Sequence, residues 1–306
     1  MTSHHSGSLP KSGYAAISIV AALLTIGLKF SAYLLTGSVG LFSDAAESVV
    51  NLLAAILAFW MLTIAARPPD DIHAFGHSKA EYFASGFEGM LIIIAAGSII
   101  VAAWNRLFDP QELQRLDIGL ILSLIATAIN GGVAWILGRA GRRLRSITLQ
   151  ADAQHLLTDV WTTAGVIIGI ILVRITGWLI LDPLIAIVVA LNIVWAGLRL
   201  LRETSYGLLD SALPKADQKH IADVLHPYEK AGIIFHALRT RMAGPRRFVS
   251  LHVLVPGEWT VQHGHDVCEE IELAIAAALP ECNVLTHLEP LEDPAAWRDQ
   301  ELDRIL

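Results

Sequence analysis

Long apolar stretches separated by short polar ones fill the first two thirds of the chain, and shorter alternating segments follow. Six runs, Tyr14 to Leu35, Leu41 to Ala65, Tyr82 to Leu107, Ile118 to Leu137, His155 to Ile175 and Trp178 to Leu200, match the bilayer core of about 30 Å, which a helix crosses in about 20 residues. The pattern predicts six transmembrane α-helices over 14–207, behind a polar cytosolic head at 1–13. The first run exceeds signal-peptide length and lacks a small-residue cleavage pattern, so it is expected to be retained. Beyond 208 the period changes. Helix Lys215–His226, strands Ile233–Met242 and Arg247–Val255, helix Val261–Ala278 and strand Asn283–Leu288 are predicted. Phe248, Ser250, His252 and Leu254 alternate with Val249, Leu251, Val253 and Val255. The αββαβ order predicts a cytosolic α+β domain over 208–290, ferredoxin- or metallochaperone-like, with two helices on one face of a three-stranded sheet. Residues 291–306 form a tail that reads as a loose amphipathic helix.

Composition supports a membrane protein: 54% hydrophobic and 17% charged residues, with a mean hydropathy of +0.53, lie outside the soluble range. Arg139, Arg142, Arg143 and Arg145 after the fourth run, and Arg199 and Arg202 around the end of the sixth, mark cytoplasmic ends. Both termini are then cytoplasmic, in a multi-pass protein of the inner (plasma) membrane. From Leu208 onward there are 16 acidic and 9 basic residues, which accounts for the whole net charge of −7. An acidic cytosolic face argues against nucleic acid and suits the gathering of cations. Cys268 and Cys282 lack metal-ligand spacing and sit on the reducing side, so neither a disulfide nor a thiolate zinc site is expected. No Gly-rich phosphate loop is present, so no nucleotide is expected. Trp60, Trp104, Trp135, Trp178 and Trp195 read as interfacial or lipid-facing, and Lys29 as snorkelling from the first span.

Inside the apolar runs one polar pattern occurs twice. Asp44, Glu47 and Asn51 correspond to Asp152, His155 and Asp159 at a constant offset, and positions i, i+3 and i+7 share a helix face. Interhelical hydrogen bonding is worth only about 0.6 kcal/mol per bond in membranes, whereas ionisable groups there are expensive. Glu47, Asn51, His155 and Asp159 are therefore expected to form a four-ligand cation site. Asp44 and Asp152, one turn earlier, are expected to support ligands or structure as readily as to bind. The loop Pro68–His77 gathers Asp70, His73 and His77, a nitrogen and oxygen set suited to zinc-like ions. In the soluble part, His287 and Glu289 share one side of a strand, with His252 on a neighbour and His236 and His265 elsewhere in the domain. A membrane-anchored metal sensor would need only the soluble ligands. An intramembrane metalloprotease would need a His-Glu-x-x-His helix, which is absent.

Phe75-Gly-His-Ser-Lys-Ala-Glu81, Ala151-Asp-Ala-Gln-His-Leu-Leu-Thr-Asp159 and Asp182-Pro-Leu-Ile-Ala186, in this order and with the domain pattern above, resemble the cation diffusion facilitator family from about Tyr14 to Pro290. The resemblance implies a homodimeric, lipid-embedded antiporter that expels a divalent transition metal in exchange for protons. It implies transport ligands at Glu47, Asn51, His155 and Asp159, a loop site at Asp70, His73 and His77, and cytosolic ligands at His236, His252, His265, His287 and Glu289. It also implies a charge pair of Lys79 and Asp210 near the dimer interface. The departure is in the first copy of the repeat, where zinc-type members usually carry His or Asp at the position of Glu47 and Asp at that of Asn51. Three oxygen ligands favour manganese or iron(II), while His155 and the histidine-rich outer sites favour zinc. Zinc is expected first, with manganese, iron(II), cobalt and cadmium within range.

Overall fold

The computed structural model describes residues 9–36, 39–108, 117–178, 180–298 and 300; the side chains of 32, 33, 35, 36, 39–47, 50, 106, 117–120, 123, 166, 167, 169–171, 173, 174 and 182 lie outside the description. The chain divides into two units, Met1–Ser205 and Tyr206–Leu306.

The first unit is a bundle of α1 (Lys11–Thr36), α2 (Val39–Ala65), α3 (Ala80–Phe108), α4 (Asp117–Arg143), α5 (Ile147–Thr176) and α6 (Leu181–Leu208). α1 to α5 each contain one of the apolar runs, and α6 begins at Leu181, three residues into the sixth. Length and apolar composition alone qualify Lys11–Ser31, Ala80–Asn105 and Pro183–Leu208 as spans among the described residues. The main correction in this unit is to α5, which begins at Ile147 rather than near His155, so the second polar repeat lies within the helix. Asp152, His155 and Asp159 are therefore buried inside the bundle.

Small residues let these helices approach, as expected where lipid supplies no hydrophobic drive between them. A Cβ on Gly141 would meet Gln150 Cγ at 2.8 Å and its backbone nitrogen at 3.0 Å, so α4 and α5 touch at their shared turn. Gly197 of α6 likewise sits against Ile93 and Ile92 of α3, and Ser85 pairs with Thr204 at 3.0 Å between the same helices. Glu81, the last residue of the loop motif, is 1% exposed. It accepts from Lys11 Nζ of α1 at 2.7 Å and from Ser146 Oγ before α5 at 2.5 Å, and its carbonyl accepts from Thr148. One buried carboxylate thus ties three helices together at one end. The five tryptophans are outward-facing. Lys29 is buried rather than extended to solvent, because its position on α1 faces the bundle.

The second unit comprises α7 (Lys215–Lys230), β1 (Ile234–Ala243), β2 (Arg246–Val255), α8 (Val261–Ala278) and β3 (Cys282–Pro290). Strand order is β1-β2-β3, with β1 and β2 antiparallel and β2 and β3 parallel. Val249, Leu251, Val253 and Val255 pack with Ile221, Leu225, Ile271 and Ile275 of the two helices. α7 continues four residues past His226 despite Pro227, since Tyr228 packs on this core and its hydroxyl donates to Glu270. The described part of the tail forms turns rather than a helix.

Candidate metal transport site

α5 presents Asp152, His155 and Asp159 on successive turns, and α2 brings Asn51 opposite them. Asn51 Nδ2 donates to Asp159 Oδ2 at 2.8 Å. Its Oδ1 lies 2.6 Å from His155 Nε2. Because the carboxylate can only accept while ionised, the Asn51 amide must turn its oxygen to His155, and that nitrogen then carries the hydrogen. Asn51, His155 and Asp159 are each at most 8% exposed. The side chains of Glu47 and Asp44 lie outside the described residues. Asp152 accepts from Ser18 Oγ of α1 at 3.0 Å, which gives it a helix-pairing contact.

Two buried residues that the sequence reading passed over complete this cluster. Asn130 of α4 donates to Asp159 Oδ2 at 3.0 Å, so that oxygen takes two amide donors from two helices. Glu88 of α3, 1% exposed, places Oε2 3.2 Å from His155 Nδ1. Neither repeats the i, i+3, i+7 spacing of α2 and α5: Glu88 follows Ser85 and Glu81 by three and seven residues, and Asn130 follows Thr127 by three. The available signal was a lone carboxylate within an apolar run, which is costly by default.

The loop residues converge as expected. Asp70 Oδ1 is 3.2 Å from His73 Nδ1, and Oδ2 is 3.3 Å from His77 Nε2. The turn that gathers them is made by Asp70 itself, whose Oδ1 accepts the backbone N–H groups of His73 at 2.6 Å and Ile72 at 3.1 Å, with Gly76 at φ +83°. Chiefly through the His73 N–H, Asp70 is held below its ordinary pKa, so the loop keeps an anionic oxygen throughout the physiological range. These three residues offer atoms within 4.8 Å of one another.

In the cytosolic unit, the register sets His236 opposite His252 and His252 beside His287. The ladder shifts between His236 and Arg239, at Ala237 with φ +49°, a bulge of the kind that re-aims a neighbouring side chain. Glu289 Oε2 lies 3.0 Å from His236 Nε2 and 3.1 Å from His252 Nδ1, and these three form a second convergent group. His287 reaches Glu289 Oε1 at 3.5 Å from an exposed position. His265 is not brought to this cluster: it pairs with Glu269 on exposed α8 positions, and α8 packs against the opposite sheet face. Burial raises the thiols of Cys268 and, to about 11, of Cys282, which keeps both protonated and poor as metal ligands.

The cation efflux transmembrane domain profile matches residues 15–209, and the cation efflux cytoplasmic domain profile matches residues 213–291. The chain belongs to the cation diffusion facilitator family. It is 56% identical over 285 residues to the uncharacterized transporter sll1263 of Synechocystis, covering 93% of this chain and 92% of that protein. It is 30% identical over 284 residues to the cation-efflux pump FieF of Salmonella schwarzengrund, covering 92% of each, and 29% identical over 284 residues to FieF of Serratia proteamaculans, covering 92% and 93%. As a cation diffusion facilitator the chain is a membrane-integral cation efflux transporter and not an enzyme. The two profiles divide the candidate sites: the transmembrane match contains the α2/α5 cluster and the loop, and the cytoplasmic match contains the histidine-rich sheet.

Proposed function

We propose that the protein is a homodimeric antiporter of the inner membrane that exports a divalent transition metal, zinc first, in exchange for protons. Glu47, Asn51, His155 and Asp159 bind the transported ion. The observation that carries this reading is the buried convergence of Asn51, His155 and Asp159 from two helices, with Glu47 one turn along α2. An ion takes its place at His155 only when Nε2 is without hydrogen, so binding to the doubly protonated ring, which keeps its Nδ1 hydrogen, releases a proton, and protonation of Nε2 expels the ion. Inward and outward access of the helices about this site completes the exchange. Asp44 and Asp152 support the ligand-bearing helices.

The loop and sheet sites act in the cytoplasm. Asp70, His73 and His77 hold an ion beside the membrane, His236, His252, His287 and Glu289 hold one on the sheet of the soluble domain, and His265 offers a separate ligand on α8. Such ions would supply positive charge that draws acidic protomers together. Lys79 and Asp210 are assigned to the charge pairing at the dimer interface. Manganese, iron(II), cobalt and cadmium are the competing substrates, because Glu47 stands where zinc-type members usually carry His or Asp and Asn51 where they carry Asp, which leaves His155 as the one imidazole among three oxygen ligands. The test is Asp159→Ala in proteoliposomes. Loss of zinc-driven proton movement in a protein that still runs as a dimer is expected, and unimpaired exchange would overturn the site.

A further inference from the structure

We infer that Glu88 of α3 is the positioning residue for His155, backing its Nδ1 so that Nε2 is aimed at the transported ion. The inference rests on the assignment of His155 as a transport ligand. Three observations carry it. Glu88 is a carboxylate 1% exposed in an apolar helix, and neither of its oxygens takes a hydrogen bond from a described residue. A buried carboxylate left that way is expensive and calls for a function. His155 Nδ1 is also buried and without a hydrogen bond among the described residues, and Glu88 Oε2 is 3.2 Å from it. The distance is that of a pair, while the alignment falls short of a hydrogen bond. The opposite nitrogen, Nε2, faces Asn51 Oδ1 at 2.6 Å, on the side of Asp159.

The chemistry of a metal-binding imidazole connects these facts. A ring that gives Nε2 to an ion carries its remaining hydrogen on Nδ1, and a carboxylate that accepts this hydrogen locks the tautomer, orients the ring and strengthens the ligand. Glu88 is placed to do so, and a small rotation of the ring brings the pair into line. Asp152 and Asp159 are its acidic neighbours, and neither is hydrogen-bonded to Nδ1 among the described residues. α3 thereby takes part in transport without supplying a ligand of its own.

The test is zinc uptake into proteoliposomes containing the full-length protein, measured across zinc concentrations for wild type, Glu88→Gln, Glu88→Ala and Asp159→Ala. Glu88→Ala is expected to raise the half-saturating zinc concentration about 10- to 100-fold, with the maximal rate changed far less. Glu88→Gln keeps a carbonyl oxygen for Nδ1 and is expected to fall between the two. An unchanged Glu88→Ala would overturn the inference, as would a Glu88→Gln as impaired as Glu88→Ala, which would mark Glu88 as a direct ligand. If Glu88→Ala is not recovered as a dimer, Glu88→Gln decides: raised half-saturation at near-normal maximal rate supports the inference, and wild-type half-saturation overturns it. Asp159→Ala separates the two readings, because its normal transport would remove the site itself, whereas its failure beside a normal Glu88→Ala would remove only the role of Glu88.

Discussion

Asp159 is held by two amides, Asn51 from α2 and Asn130 from α4, and this shared oxygen is where the intramembrane cluster departs most from its sequence pattern. The repeat identified Asn51 but gave no reason to select Asn130, which lies in a Gly-containing stretch of α4 with no ionisable partner one turn away. Asn130→Ala is expected to weaken zinc transport roughly tenfold in half-saturation, by freeing a carboxylate that an outer partner had oriented. The cysteines follow the opposite course: spacing gave no reason to read them as ligands, and burial raises both thiols. Since a raised pKa favours the neutral thiol at pH 7.5, alkylation of Cys282 by iodoacetamide is expected to be slower than that of free cysteine by at least about tenfold. It should accelerate as pH rises towards about 11. Mass spectrometry of the labelled, folded protein checks this.

At the scale of elements, the six apolar runs and the αββαβ order were legible because helix and strand periods are written directly into hydrophobic spacing. Element ends were less legible. α5 starts eight residues before its apolar run, since Gln150, Asp152 and other polar residues of its first turns face the bundle or its end rather than lipid. Its placement depends on Gly141, where α4 passes close to the backbone of Gln150. Gly141→Val is expected to cost about 1–3 kcal/mol, the usual penalty of overpacking, and to reduce transport by shifting His155 and Asp159 away from α2. Thermal unfolding in detergent together with zinc flux measures both effects. The sheet shows a comparable limit: alternation put His252, His287 and Glu289 on matching sides, but the bulge at Ala237 that brings His236 to them has no signature in alternation.

For the whole molecule, the proposed zinc-bridged approach of two protomers predicts that zinc shortens the distance between spin labels on the cytosolic domains, and that Glu289→Ala removes most of the change. A distance indifferent to zinc would dismiss the soluble domain as a metal-responsive element. The amino-acid sequence by itself determined the membrane class, the two-part organisation, the family and the repeated polar pattern, because these depend on composition, period and local spacing. Only the tertiary structure decided which residues meet. Glu88 and Asn130 join the cluster, and His265 stays outside its sheet group, through packing between elements far apart in sequence. A polar repeat on one helix is local information, whereas the groups that meet it come from other helices, and helix packing alone selects them.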